Sequence, residues 1–167
     1  GLTSPPRPTI PNLINMATKP RWSLNMLKTP RRQFRNIVGH VKDVTSLADL
    51  TAWANEQFDP KLDWAKVARI RDQWKGKFIL KGVLDAEDAK MAADMGADAV
   101  IVSNHGGRQL DGALSSIRML PSIHRAIGDR TEVWLDSGIR SGQDVLKALS
   151  LGAKGTMIGR AYIHGLG

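Results

Sequence analysis

The sequence predicts an α/β fold built on a parallel sheet, and three observations support this prediction. Four short apolar runs lie in the second half of the chain, none with strict apolar–polar alternation, which is typical of strands buried on both faces. Amphipathic helical patterns separate these runs, so the expected order is β-α-β-α-β-α-β. Polar residues follow each run, at the end of the sheet where α/β folds bind ligands. Such units build half of an eight-stranded barrel or a small open sheet.

The elements before the first strand are predicted to be helical or irregular. Residues 1–18 hold four of the eight prolines and predict an irregular connection. Residues 20–38 mix apolar with basic side chains and predict, in part, a basic amphipathic helix that Pro30 interrupts. Two further helices are predicted over residues 46–53, with the first serine as N-cap, and over about 63–74.

The repeating part of the chain supplies the sheet and the helices that cover it. Asp85 and Ser141 stand where helix N-caps are expected, and Gly96 and Gly152 stand where helices end. Strands are predicted at residues 78–80, 99–102, 133–135 and 156–158. Helices are predicted between them at about residues 86–95, 115–127 and 141–150.

The excess positive charge of the chain is confined to its first quarter. The formal net charge is +8, yet residues 1–42 carry eight Lys or Arg and no Asp or Glu, and the rest is balanced. We therefore divide the chain into a basic insertion or linker, residues 1–43 (the basic segment), and a barrel part, residues 44–167. The basic segment fits either a solvated loop or the surface of an anionic membrane. It contains no recognisable nucleic-acid-binding module.

The composition excludes several classes of protein. No cysteine is present, so a disulfide framework and a thiolate metal site are excluded, and no metal is expected. No apolar run approaches the roughly 20 residues of a membrane-spanning helix. The chain begins with Gly1 rather than Met and stops soon after a helix begins, so we expect it to be a fragment or a processed piece.

Residues 103–108, Ser-Asn-His-Gly-Gly-Arg, carry the most specific chemical signal. They place His105, which can accept a proton near neutral pH, three residues before Arg108, which can hold a carboxylate by two parallel hydrogen bonds. Together they predict proton removal from a small carboxylate-bearing substrate. Taken alone, His105 also fits a strand cap and Arg108 a surface ion pair. The other histidines lack such neighbours and are predicted to be structural or at the surface: His40, His124 and His164.

Glycine-rich turns with arginines follow the last two predicted strands. Residues 136–140 read Asp-Ser-Gly-Ile-Arg, and residues 159–160 read Gly-Arg. Backbone N–H groups in such turns, with helix N-termini behind them and a guanidinium beside them, form anion sites. Phosphate sites in eight-stranded barrels lie after the last two strands, so these turns predict a phosphate site.

Four motifs together resemble the FMN-dependent α-hydroxy acid dehydrogenase and oxidase family, which includes glycolate oxidase, mandelate dehydrogenase and bacterial L-lactate dehydrogenase. They stand in the family's order within residues 77–160, whereas residues 1–76 match less sharply. The motifs are Lys-Gly at 81–82, Ser-Asn-His-Gly-Gly-Arg-Gln-Leu-Asp at 103–111, Asp-Ser-Gly-Ile-Arg-Ser-Gly-Gln-Asp-Val at 136–145, and Leu-Gly-Ala at 151–153 followed by Ile-Gly-Arg at 158–160.

The resemblance implies a fold, a reaction and a set of residue roles. The chain would be the C-terminal half of a (β/α)8 TIM barrel, strands five to eight, of an enzyme that uses FMN to oxidise a small L-2-hydroxy acid, with L-lactate expected. His105 would be the base, taking either the hydroxyl proton or the α-proton, and Arg108 would bind the substrate carboxylate. The residues implied for the cofactor are Lys81 and Ser103 at the flavin ring, and Asp136, Ser137, Gly138, Ile139, Arg140, Gly159 and Arg160 at the ribityl chain and phosphate.

The resemblance also implies partners and a location. Without the N-terminal half of the family's barrel, we expect this piece to be inactive alone. The expected partners of the full-length protein are the hydroxy acid, an anionic membrane surface, a quinone acceptor and further copies in a homo-oligomer, with no nucleic acid. The expected location is cytoplasmic and peripheral at the inner face of the cell membrane. Two alternatives stay open: a phosphate-binding barrel enzyme similar to IMP dehydrogenase, and a non-enzymatic partial barrel that binds membranes.

Overall fold

The computed structural model of the chain describes residues 9–29 and 47–166, in two compact units that meet in sequence between Leu62 and Asp63. The predicted boundary between residues 43 and 44 lies outside the described residues. The described elements are α1 (Ile10–Ala17), α2 (Pro20–Lys28), α3 (Leu47–Glu56), α4 (Trp64–Gln73), β1 (Ile79–Val83), α5 (Ala86–Asp94), β2 (Ala99–Val102), a 3-10 turn (His105–Gly107), α6 (Ser116–Ile127), β3 (Glu132–Leu135), α7 (Gly142–Ser150), β4 (Gly155–Thr156) and α8 (Arg160–Leu166).

The first helix shows that the expectation of an irregular connection was wrong for residues 10–17; residues 1–8 lie outside the described residues. Residues 10–17 form α1 although a proline lies in its first turn. A proline is tolerated there because the backbone N–H groups of the first turn have no partner within the helix. Thr9 caps the helix, since its hydroxyl accepts the N–H of Asn12 at 3.4 Å.

The other helices before the sheet agree with the sequence where they are described. α2 ends at Lys28, before Pro30, as predicted. α3 begins at Leu47, and its predicted cap, Ser46, lies outside the described residues. α4 is capped by Asp63, whose carboxylate accepts a backbone N–H of the first turn at 2.9 Å.

The sheet confirms the predicted parallel β-α-β-α-β-α-β order. Its four strands lie in the order β1-β2-β3-β4, and each pair of neighbours is parallel. β4 begins one residue earlier than predicted and is shorter. The reason is that β3 ends at Leu135, which pairs with Thr156. Beyond that pair the N–H of Met157 still donates to the carbonyl of Leu135 at 2.8 Å, but β3 has no further residue to continue the ladder.

The core lies between one face of the sheet and the helices packed on it. Alternate residues of β2 and β3 supply its sheet side, and all are at most 2% exposed: Val100, Val102, Val133 and Leu135. One stripe of α6 supplies the facing side with three fully buried residues: Leu120, Ile123 and Ile127. Burial of each such side chain contributes roughly 1.5–3 kcal/mol, which fixes the strand ends relative to one another.

A β-bulge at Gly82 sets the direction in which Lys81 points. Lys81 pairs with Ile101 and Val83 pairs with Val102, so Gly82 is the extra residue. Its φ of 97° lies in the left-handed region, which glycine adopts without a steric penalty. Because neighbouring residues of β2 face opposite sides of the sheet, the bulge lets Val83 join the core while Lys81 lies on the other face.

Candidate active site

The carboxyl ends of the strands surround one cavity of about 530 Å³, within the roughly 300–1,000 Å³ range of small-molecule sites. Every strand of the sheet contributes to its wall, because parallel strands bring their carboxyl ends to one side. The predicted site residues that line the cavity are Lys81, His105, Arg108, Asp136, Ser137, Gly138, Ile139, Arg140, Gly159 and Arg160. The structure therefore brings together nearly all the residues that the sequence singles out.

Ser103 lies behind the cavity wall and joins two charged side chains. It is only 2% exposed, donates to Oδ2 of Asp136 at 2.6 Å and accepts from Nζ of Lys81 at 3.2 Å. The ammonium of Lys81 also lies 2.8 Å from the same carboxylate oxygen. The three residues form a closed hydrogen-bonded network, with Lys81 in β1, Ser103 directly after β2 and Asp136 directly after β3.

This network favours the ionised form of Asp136. Burial raises the pKa of this carboxyl, but the hydrogen bonds from Lys81 and Ser103 and the positive charge of Lys81 outweigh burial, so the pKa lies below its ordinary value. The cavity therefore holds a fixed carboxylate in contact with an ammonium group at neutral pH.

His105 lies in a 3-10 turn directly after β2, residues 105–107 (the His105 turn). Its φ of 56° is left-handed, a conformation that residues with a Cβ rarely adopt. The turn is held by its backbone: His105 N donates to Ser103 Oγ at 3.1 Å, and Gly107 N donates to Asn104 Oδ1 at 3.2 Å. Neither bond uses the imidazole, which lines the cavity.

Two residues from the last two strand ends also hold the His105 turn. Ser137 Oγ accepts the N–H of Gly106 at 2.9 Å, and Arg160 Nη2 donates to the carbonyl of Gly106 at 2.7 Å. A Cβ at position 106 would lie 2.5 Å from Arg160 Nη2, so the close approach of the guanidinium requires glycine here. Arg160 thus links the predicted phosphate turn to the predicted base.

Arginines give the cavity a strongly positive wall. Arg108, Arg140 and Arg160 line it together with Lys81, and Asp136 is the carboxylate among the described lining residues. Guanidinium groups bind carboxylates and phosphates by paired hydrogen bonds. The arrangement is therefore suited to an anionic ligand, or to two anionic groups on separate ligands.

The structure adds residues that the sequence did not single out. Ser116, at the start of α6, is 2% exposed and donates to the carbonyl of Ser137 at 3.2 Å. His164, predicted to be structural or at the surface, is exposed and lines the cavity; its spacing of four residues from Arg160 in α8 is the signal that could have indicated this. The other lining residues that were not singled out are Gly106, Met157, Ala161 and Ile163.

His124 is not among the described residues that line the cavity. His124 is half-buried in the last turn of α6, which agrees with a structural role, and His40 lies outside the described residues. Among the residues that the structure describes, no group of three His, Cys, Asp or Glu side chains could hold a metal ion. No described helix has the length and apolar character needed to cross a membrane.

Comparison with protein families gives a match over the whole chain. Residues 1–167 match the family described as FMN-dependent dehydrogenase. The chain is 48% identical over 167 residues to an L-lactate dehydrogenase of Caulobacter sp. (strain K31), covering 99% of this chain and 44% of that protein. It is 45% identical over 157 residues to an L-lactate dehydrogenase of Pseudomonas syringae, covering 93% of this chain and 41% of that protein.

Solved structures give the same picture. The chain is similar to the crystal structure of a monotopic membrane protein, (S)-mandelate dehydrogenase, with a TM-score of 0.87 and 38% identity over 98% of this chain and 43% of that one. It is also similar to mandelate oxidase, with a TM-score of 0.61 and 41% identity over 70% of this chain and 38% of that one. The chain thus spans less than half the length of each of these relatives.

Proposed function

This chain belongs to the FMN-dependent dehydrogenase family, and from that premise we propose that it forms the C-terminal half, strands five to eight, of a (β/α)8 barrel enzyme. The full-length enzyme oxidises a small L-2-hydroxy acid, with L-lactate as substrate, to the 2-oxo acid. The relatives named L-lactate dehydrogenase support this substrate at 45–48% identity. Because the chain spans 44% of such a relative, the piece alone is inactive.

One observation carries the proposal: His105, Arg108 and Lys81 line the same cavity although they come from two different strand ends. A hydroxy acid offers a carboxylate, a hydroxyl and an α-hydrogen on adjacent atoms. Its oxidation needs a cation for the carboxylate and an acceptor for a proton. The three side chains supply both within a single site.

The residues of the cavity fit FMN, a ligand with a flat ring at one end and a phosphate at the other. Arg140 and Arg160 offer guanidinium groups for the phosphate. Gly138 and Gly159 line the same cavity, and a Cβ on either would meet no atom within 4 Å, so both leave space for the ribityl chain beside the arginines. When bound, FMN accepts the two electrons that the hydroxy acid loses.

The remaining chemistry falls to side chains of this chain. Arg108 binds and orients the substrate carboxylate through two parallel N–H groups. His105 accepts a proton from the substrate, as an imidazole can near neutral pH. Lys81 would supply positive charge to stabilise the negative charge that FMN gains on reduction. Two of its hydrogen bonds go to Ser103 and Asp136, which keep its ammonium group fixed.

Anaerobic absorption spectroscopy of the full-length protein tests this function. We expect a bound-flavin spectrum that L-lactate bleaches and D-lactate does not. The His105→Ala variant should keep the flavin but reduce it at least about a hundredfold more slowly, since a general base contributes typically 10²–10⁴-fold. Normal reduction in this variant would remove His105 from the role of base, and a colourless protein would overturn the function itself.

We further propose that the basic segment rests on an anionic membrane surface, where the enzyme reaches a quinone acceptor. In α1, Ile10, Leu13 and Ile14 are 74%, 52% and 60% exposed, and neither described helix of the segment has an acidic residue in its first turn. α2 adds exposed Leu27 beside Lys28. Apolar side chains next to cations are typical of helices that lie in a membrane interface.

One solved relative supports this second proposal by its coverage. The likeness to the monotopic membrane protein extends over 98% of the chain and therefore includes almost all of the basic segment. The basic segment thus has a counterpart in a relative that is described as a membrane protein.

A further inference from the structure

We propose that Ser137 is a positioning residue for His105, acting through the backbone N–H of Gly106. The inference rests on the proposed function only in taking His105 as the base. It assigns the hydroxyl of Ser137 to the His105 turn rather than to the cofactor.

The backbone of Ser137 indicates that its side chain is needed. Among the residues that the structure describes, the non-glycine residues with positive φ are His105, at 56°, and Ser137, at 82°. Glycine would adopt this backbone without strain, and the next residue, Gly138, does so at 85°. Strained residues of this kind persist where the surrounding structure holds them, and they cluster at functional sites. Here the two strained residues lie in adjacent loops of one cavity.

The hydroxyl of Ser137 connects these two loops. Its Oγ accepts the N–H of Gly106 at 2.9 Å, directly after His105. The carbonyl of Ser137 accepts the hydroxyl of Ser116 at 3.2 Å, so a buried residue of α6 holds Ser137 from the other side. Ser137 therefore links α6 to the His105 turn through two hydrogen bonds, one at its carbonyl and one at its hydroxyl.

The hydroxyl of Ser137 also lies 3.4 Å from Ser103 Oγ and 3.5 Å from Asp136 Oδ2, but Ser103 is committed to other, shorter hydrogen bonds. Ser103 Oγ donates to Asp136 Oδ2 at 2.6 Å and accepts from Lys81 Nζ at 3.2 Å and from His105 N at 3.1 Å. A hydroxyl has one donor and two acceptor lone pairs, so Ser103 is fully used. Loss of the Ser137 hydroxyl would leave the N–H of Gly106 without this acceptor and the His105 turn held at fewer points.

Two substitutions in the FMN-loaded full-length protein separate the hydroxyl from the backbone strain. Ser137→Ala removes the hydroxyl and keeps a Cβ at positive φ, whereas Ser137→Gly removes both. We expect both variants to lower kcat roughly tenfold to a hundredfold, as small misplacements of catalytic groups do, with KM and the Kd for FMN within about twofold of the parent. The melting temperature of Ser137→Gly should equal or exceed that of Ser137→Ala, so the loss of kcat will not follow stability.

Amide hydrogen exchange gives a readout that does not depend on activity. The peptide covering residues 103–110 should exchange faster in both variants than in the parent. Ser122→Ala is the matched control, because Ser122 is a half-buried serine whose hydroxyl donates to a carbonyl of its own helix, Met119, at 2.8 Å; it should change neither exchange of this peptide nor kcat. Unchanged exchange of residues 103–110 in Ser137→Ala would overturn the proposal.

A double variant distinguishes failure of this proposal from failure of the proposed function. If Ser137 acts through His105, adding Ser137→Ala to His105→Ala should lower the flavin reduction rate no further. A further loss of the same size as in the single variant would show that Ser137 acts elsewhere. An Ser137→Ala variant that binds FMN weakly but keeps kcat would assign Ser137 to the cofactor, and a fully active Ser137→Gly would show that the hydroxyl is dispensable. Full activity of His105→Ala would contradict the assignment of His105 as the base. It would leave intact the contact between Ser137 and Gly106, which hydrogen exchange measures separately.

Discussion

Lys81 and Asp136 form an ion pair between the first strand of the sheet and the end of the third, with Nζ and Oδ2 2.8 Å apart. The two residues are 55 positions apart in sequence, and β2 lies between their strands. Ser103, at the end of β2, bonds to both. The pair therefore ties three strands together at the edge of the cavity and sets its local charge.

The first prediction concerns pH. The pKa of Asp136 is lower in the folded protein than its ordinary value, so the unfolded chain binds the proton more readily. The contribution of the ion pair is thus fully present above the unfolded pKa of about 3.9 and is lost as pH falls through the folded pKa. We expect the free energy of unfolding of the full-length protein, measured in urea between about pH 3 and pH 6, to fall more steeply with acid in the parent than in Asp136→Asn. Parallel slopes would show that the pair adds no pH-dependent stability.

The second prediction concerns the substrate carboxylate. Arg108→Lys keeps the positive charge but loses the paired hydrogen bonds, which are worth about 1.5–3 kcal/mol when a charged group is involved. The apparent dissociation constant of the full-length enzyme for L-lactate, from the dependence of the anaerobic flavin-reduction rate on L-lactate concentration, should rise roughly tenfold to a hundredfold. Arg130→Lys is the matched control, because Arg130 pairs with Asp94 at 2.9 Å on the surface and should leave the affinity unchanged. An unaltered affinity in Arg108→Lys contradicts the proposed contact.

The third prediction concerns the membrane surface. Leu13→Asp places a negative charge on the exposed apolar side of α1 and removes a side chain whose burial stabilises by roughly 1.5–3 kcal/mol. Co-sedimentation of the full-length protein with phosphatidylcholine vesicles containing phosphatidylserine should fall at least about tenfold. Leu62→Asp is the matched control, because it changes a comparably exposed leucine, 62% exposed against 52% for Leu13, outside the basic segment. Equal losses in both variants, or none in either, would rule out α1 as the membrane contact.

The fourth prediction concerns the stability of the contact between Gly152, which follows α7, and His124 in the last turn of α6. Gly152 has a φ of 102°, and a Cβ there would collide with the ring of His124. Gly152→Ala should therefore lower the free energy of unfolding by about 1–3 kcal/mol, from strained backbone and overpacking. Gly142→Ala is the control, since a Cβ at Gly142, the first residue of α7, meets no atom within 4 Å. Equal urea midpoints for the two variants would contradict the role of the His124 contact.

Local patterns in the sequence predicted most of the sheet and the cavity wall. Buried runs such as residues 99–102 and cap signals such as Ser141 are properties of neighbouring residues, so they can be read without knowing the fold. Parallel strands then place Lys81 and His105 at one edge. The family resemblance added the reaction and the cofactor, which residue patterns alone left open.

The partners of these side chains could not be predicted, because they are set by contacts between distant strands. The network of Ser103 with Lys81 and Asp136 joins positions 22 and 33 residues away. The contact of Ser137 with Gly106 depends on two loops that meet only in the folded chain. The α1 helix was missed for another reason: its proline was taken as a breaker, although at the start of a helix it is compatible with the fold.

The bulge at Gly82 divides β1 into two parts whose side chains serve different faces of the sheet. Before the bulge, Lys81 lies on the face of the sheet that borders the cavity; after it, Val83 lies on the face that packs against the helices. A designer who grafts this lysine onto another barrel strand must therefore carry the inserted glycine along with it. Without that insertion, the same sequence would either bury an ammonium group among aliphatic side chains or turn a valine toward the cavity.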